Sequence, residues 1–357
     1  MADHQLEAST VRVGMNELGG TLEPSFLVRD TWYSPMHVAP WIDAGLPCDL
    51  PPMLRGLRGD FFCAPFGECD LIPAETRPHG ATANRRWSLR SCSANALEFE
   101  LNARVMGARV TKRVSVRSGQ AAVYQEHVFT GGAGRIPIGH HAMLYASEPL
   151  HLGCSSLVWA GTPPTPLEPD GVSALLYPQQ FSDLSEVRLA AGGWVDLSRY
   201  PALEGFEDLL MLSSEAHLEF AWTAATAPQS GWVWFALKNP RVLPSTVVWL
   251  SNGGRGYAPF NHRHIKVIGL EEVCAYFHLG HRASLEDPLL ERGVQTCIKL
   301  GPSPCVRYVF ALAAVPAGCG AVRQIVATAG GVRLLDGAGR EAFAALDLDF
   351  IGALPAR

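Results

Sequence analysis

The chain has 357 residues, 48% hydrophobic and 18% charged, with 29 Lys and Arg against 34 Asp and Glu for a formal net charge of −5. That balance excludes a disordered chain and gives no electrostatic reason to bind nucleic acid or an anionic membrane. Glycine (35) and proline (26) are frequent but scattered without period, which excludes a collagen-like or linker-like chain.

The opening stretch, MADHQLEASTVRVG, lacks a basic segment followed by an apolar one, so no secretory signal is expected. No apolar run is long enough to span a bilayer. The cysteines Cys48, Cys63, Cys69, Cys92, Cys154, Cys274, Cys297, Cys305 and Cys319 are odd in number and form no CxxC pair. Neither a disulfide framework nor a zinc knuckle follows; free thiols in a reducing compartment do, and with them a cytoplasmic location.

Along the chain, the dominant hydrophobic period is two. In Leu97–Val105 the residues Leu97, Phe99, Leu101, Ala103 and Val105 are apolar and their neighbours polar, which predicts a half-buried antiparallel strand. Gly107 marks a turn. Val110, Val114 and Val116 continue the alternation, with Lys112 an exception on the apolar side, and Ala121–Phe129 makes a third strand of a meander. Pro178 to Glu207 reads as excursion loops with short helical pieces. Further strands are expected at His217–Trp222, Trp232–Leu237, Thr246–Leu250, His264–Gly269, Val273–Leu279, Val306–Ala313 and Val322–Ala327. One helix is expected at Ser284–Arg292, with Ser284 as N-cap. The pattern is all-β: one large antiparallel two-sheet β-sandwich with few short helices, spanning 1–357 as a single domain. The alternative adds a small N-terminal subdomain ending near Pro52.

Five segments concentrate polar, aromatic and glycine residues: Ser34–Trp41, Arg58–Gly67, His79–Trp87, Gly139–Leu144 and Ser251–Glu272. The last carries Asn252, Arg255, Asn261, His262, Arg263 and His264, then an apolar run that ends in Glu271 and Glu272. Period two puts these two carboxylates on opposite faces of a strand. One then faces a cleft and the other solvent, although spacing alone favours two surface residues at a strand end. His140 and His141 have no third ligand in an HxH or HxxE spacing, so a metal site is not indicated. Arg58 and Arg255 sit beside glycines, where an arginine grips a polar ligand or is simply solvated. No GxSxG elbow, GxxxxGK[ST] loop or HExxH helix is present.

In their order, these segments resemble the galactose mutarotase-like superfamily, the aldose 1-epimerases. Ser34-Pro35 with Ala39-Pro40-Trp41 is similar to its N-terminal loop. Arg58-Gly59-Asp60 with Pro65-Phe66-Gly67 is similar to its RGG…PFG stretch. His79-Gly80, Asn84 and Trp87 resemble its His-Gly-x-x-Arg-Asn-x-x-Trp motif, with Ala83 in place of the arginine. His141 and Glu271 stand where the family has a His and its catalytic Glu, the latter followed here by Glu272 rather than Pro.

The resemblance implies a β-supersandwich with a carbohydrate cleft, a monosaccharide or sugar-derivative substrate, and no metal or organic cofactor. It implies that Glu271 takes the proton of the anomeric hydroxyl while His141 gives one to the ring oxygen. The ring opens and recloses from the other face. His79 would orient the sugar, and Arg58, Asn84, Arg85 or Arg86, Arg255, His140 and Asn261 would be its other binding residues. The chain is then an aldose 1-epimerase-like isomerase, with Glu271 and His141 one pyranose ring apart. Two rival readings remain open. One is a carbohydrate-binding or sensing protein without turnover. The other is a hydrolase or lyase with a second cleft acid among Glu68, Asp60 and Glu272. Oligomeric state is not specified by the sequence.

Overall fold

Period-two segments become antiparallel strands wherever a second apolar layer is available to cover them. The computed structural model describes residues 2–72, 75–169 and 171–352. A seven-stranded sheet, called here the site sheet, runs in the order Leu157–Gly161, Glu207–Ser214, Ser245–Ser251, Val267–Cys274, Ile138–His140 and Phe62–Cys63; Ala142–Tyr145 also pairs with Val267–Cys274. A ten-stranded broad sheet lies behind it, centred on Trp232–Lys238, Cys305–Ala314 and Ala122–Ile136.

The main core fills the space between the two. Val248, Leu250, Ile268 and Leu270 from the site sheet meet Val110, Val114, Phe129, Trp234 and Phe310 from the broad sheet. A second apolar cluster covers the outer face of the broad sheet with the three-stranded sheet Val322–Thr328, Gly331–Asp336 and Glu341–Ala345. A third cluster covers the outer face of the site sheet, where Met143, Leu209, Met211, Val247 and Trp249 pack under loops bearing Trp41, Phe66, Phe260 and Phe277.

Several expectations change in the structure. His264–Gly269 and Val273–Leu279 are replaced by one strand, Val267–Cys274, because cross-strand pairing with Ser245–Ser251 runs unbroken through Glu271 and Glu272. The strand expected to reach Val105 ends at Leu101. The one expected at His217–Trp222 begins only at Ala221. The expected helix is Gly280–Leu285 followed by a short 3-10 turn at Leu290–Arg292. Ser284 lies inside that helix and donates to the Gly280 carbonyl instead of capping it. Between 178 and 207 the described residues form two-residue strands rather than helical pieces. The strands between His4 and Tyr33 build a four-stranded sheet whose Val11, Val13, Leu22 and Phe26 join the main core. Among the described residues, no helix is long and apolar enough to cross a membrane.

Candidate functional site

Both faces of the site sheet are buried, and strand parity decides which chemistry each face receives. On Val267–Cys274, residues Val267, Gly269, Glu271 and Val273 point outward under the loops, while Ile268, Leu270, Glu272 and Cys274 point into the main core. His141 lies between two short strands that both pair with Val267–Cys274, and Ala142 is opposite Leu270. This register sets His141 Nε2 at 3.3 Å from Glu271 Oε1. Gly269, on the same face, leaves the space the carboxylate occupies, since a Cβ there would collide with Glu271 Oε1.

His141 is held by its backbone and by two rings. Its backbone N–H donates to the Phe61 carbonyl (2.8 Å), and the Phe61 ring stacks on it at 4.6 Å. The His79 ring meets it edge-on at 5.1 Å. His79 begins the helix Gly80–Asn84 in a left-handed conformation and accepts the Gly67 N–H on Nδ1 at 3.4 Å. Glu271 and His141 are only 2% and 5% exposed, so each is pushed towards its neutral form. Burial raises the Glu271 carboxyl well above the usual range. Burial, with His79 as a second cause, lowers His141 well below it. Desolvation also depresses His79 to about 3 and His37 to about 4.

A second polar group adjoins this pair. Glu207, at the start of Glu207–Ser214, accepts the Trp249 indole N–H on Oε2 (3.1 Å) and the Ser251 hydroxyl on Oε1 (2.8 Å). Ser251 Oγ also lies 2.6 Å from His264 Nδ1. Arg255 sits over the Phe260 and Trp249 rings, bonds Glu168 at 2.6 Å, and approaches Glu207 Oε2 at 3.9 Å. The Arg255–Glu168 pair ties the loop after Ser245–Ser251 to the loop after Leu157–Gly161. Among the described residues, no group of three or more His, Cys, Asp or Glu side chains is set to hold a metal ion.

Glu271, His141, His79 and Arg255 therefore come together, though Glu271 and His141 are in contact rather than a pyranose ring apart. The remaining residues expected at the site lie elsewhere. Arg58 pairs with Glu23 (3.1 Å) in a surface groove of the N-terminal strands. Arg86 pairs with Glu17 on the surface, and Arg85 with Glu75 (3.2 Å). Asn84 is a structural clamp: its Oδ1 accepts the Met53 N–H (3.2 Å) and its Nδ2 donates to the Pro78 and Gly80 carbonyls (2.8 and 2.9 Å). Asn261 is exposed at a loop tip.

His140 faces the main core, its ring stacked on Tyr308 at 4.2 Å and its Nδ1 3.5 Å from Asp60. Glu272 is fully buried there too. It accepts from Thr223 and Thr246 and is ion-paired with Lys238, so it faces neither solvent nor cleft. Lys112, the break in the alternation, is buried with its Nζ donating to the Gly20 carbonyl at 2.7 Å. Glu68 is exposed. None of the three acids offered as a second cleft carboxylate shares the face of Glu271. Glu207 and Glu168 sit at the site instead, and sequence reasoning missed them because neither lies in a polar, glycine-rich segment.

No protein-family model matches the chain, and no curated protein matches it in sequence. Solved structures match it in fold. A protein of Escherichia coli K12 provisionally named an aldose 1-epimerase is 15% identical with a TM-score of 0.57, covering 87% of this chain and 98% of that one. The Slr1438 protein of Synechocystis sp. PCC 6803 is 13% identical with a TM-score of 0.53, covering 87% and 94%. A galactose mutarotase related enzyme of Lactobacillus acidophilus is 9% identical with a TM-score of 0.50, covering 87% and 96%. The architecture is thus that of a large two-sheet β-sandwich shared with epimerase-like proteins. More particularly, the chain has the galactose mutarotase-like fold.

Proposed function

We propose that this chain is an aldose 1-epimerase-like isomerase that interconverts the anomers of a hexose or hexose derivative. The observation that carries the reading is the 3.3 Å contact between Glu271 and His141 among the rings of Phe61, His79 and Trp249. The two oxygens that exchange protons in ring opening are attached to the same carbon. A base and an acid that lie side by side can therefore both reach them.

Glu271 and His141 share one proton between them in any net-neutral state. One group takes the proton of the anomeric hydroxyl as the other gives its own to the ring oxygen, so the pair keeps one proton throughout. When the opened chain has turned its carbonyl, the reverse transfers close the ring on the other face. Each transfer is expected to contribute ~10²–10⁴-fold.

The test is anomer exchange on a panel of aldoses, followed by NMR or polarimetry. The wild-type chain should accelerate exchange of at least one sugar, and Glu271→Gln should abolish that acceleration with the fold intact. Calorimetric binding without exchange would make the chain a carbohydrate-binding protein instead.

A further inference from the structure

The site holds a second hydrogen-bonded chain that the Glu271–His141 chemistry does not use. Glu207, Ser251 and His264 are linked end to end, at 2.8 Å and 2.6 Å, and all three are buried. The far end, His264 Nε2, is buried without any hydrogen-bond partner, as is His37 Nε2 on the ring that meets His264 edge-on at 4.6 Å. A buried polar atom left open in this way is costly unless something fills it.

The direction of the bonds is determined by the donors available. Trp249 donates to Glu207 Oε2 and Ser251 donates its one proton to Oε1. The 2.6 Å contact then requires His264 Nδ1 to carry a proton and donate it to Ser251 Oγ. His264 Nε2 is thereby left as an acceptor.

We propose that Glu207, Ser251 and His264 form a proton relay whose open end, His264 Nε2, takes a hydrogen bond from a hydroxyl of the bound ligand. This rests on the reading of the site as a carbohydrate pocket, since the ligand class is a polyhydroxylic ring. The relay balances with one proton drawn from solvent. A proton taken up at Nε2 forms one N–H bond; the Nδ1 proton passes to Ser251 Oγ, and the hydroxyl proton passes to Glu207 Oε1. The end state has Glu207 protonated on Oε1, because Oε2 already receives the indole N–H. Ser251 then donates to Nδ1, and Nε2–H has become a donor. Acceptor and donor at Nε2 are thus exchanged by one proton on Glu207.

The surroundings suit that exchange. Burial pushes Glu207 up to about 7, opposed by the Arg255 guanidinium and the Ser251 and Trp249 bonds, and assisted by Glu168. Tyr200 is a further titratable neighbour of Glu207. His264 faces His37, Arg255 and His141, and with burial these keep it neutral.

The experiment is a pH titration of the full chain without ligand, reading the imidazole nitrogens of His264 by ¹⁵N NMR. The expected result is a neutral ring that changes tautomer near pH 7, from Nδ1–H above to Nε2–H below, following Glu207. In Glu207→Gln the amide oxygen keeps the indole bond and the amide N–H₂ donates to Ser251. His264 should then hold the Nε2–H tautomer at every pH. Ser251→Ala should remove the step. A single tautomer on both sides of pH 7 in the wild type, or an unchanged step in Glu207→Gln, overturns the relay. The tautomer readout needs no turnover. A chain that shows the step but accelerates no sugar would overturn the epimerase reading and leave the relay standing. Where exchange is measurable, Glu207→Gln should change KM more than kcat if His264 binds a hydroxyl away from the anomeric carbon; a change in kcat alone would contradict that placement.

Discussion

The two faces of the strand Val267–Cys274 each carry one glutamate and treat it in opposite ways. On the core face, Glu272 is bonded by Thr223, Thr246 and Lys238, and Lys238 also donates to the Ser245 carbonyl. On the outer face, Glu271 has a single imidazole at 3.3 Å and unpartnered histidine nitrogens around it. A fully compensated buried charge is locked, because every change of its state breaks several bonds. An undercompensated one is displaced from its ordinary protonation equilibrium and is a candidate for exchanging a proton with a ligand. The comparison separates a Glu held in the core from one that the proposed chemistry can use, although they are neighbours in the chain.

The sharpest way to break the comparison is to remove one group from each face. Glu271→Gln is expected to lower anomer exchange by ~10²–10⁴-fold, which is about 3–5 kcal/mol in the barrier, with little loss of stability. Lys238→Met leaves Glu272 buried and unpaired, and should cost ~3–5 kcal/mol in denaturant unfolding. Lys238→Met with Glu272→Leu should recover most of that loss, since an apolar pair of similar volume replaces the ion pair. If the double variant is as unstable as the single, the compensation described for the core face is wrong.

A smaller effect sharpens the outer face. Adding a proton to the Glu271–His141 pair buries a net positive charge, and removing one buries a net negative charge; desolvation opposes both. In water the pair would hold a single proton between the ordinary Glu and His values, 4.5 and 6.5; burial should widen that window, moving the acid limb down and the alkaline limb up. The pair as a whole titrates, so a broad plateau in kcat/KM against pH is expected. A narrow bell between those two values would show that water reaches the pair freely. The smallest effect is expected at the surface. Arg86→Ala and Asn261→Ala should leave exchange unchanged, and Arg86→Ala should cost less than about 1 kcal/mol for its exposed ion pair with Glu17.

Much of the candidate site was legible because its residues fall in ordered motif segments. Glu271, His141 and His79 came from that order, and Arg255 from its glycine-rich loop. Arg58, Asn84 and Arg86 belong to the same segments but turn to other tasks. A motif match places a residue near a site in sequence without stating which way its side chain points. His140 shows the point most plainly: one residue from His141, it lies across the sheet against Tyr308 and Asp60. Glu207 and Glu168 gave no signal, since a lone acid at a strand end or in a loop is ordinarily a solvated one.

By itself the sequence determined the period of the strands, the all-β class, and the parity that sends Glu271 one way and Glu272 the other. Those are local properties, set by backbone geometry and the spacing of apolar side chains. Only the tertiary structure decided which of the two faces receives the loops and which receives the second sheet. It also decided that residue 141 meets residue 271 and that 207 meets 251 and 264. Such meetings depend on cross-strand register and on how distant segments pack, and the free energy of both lies in contacts that no short stretch of chain contains.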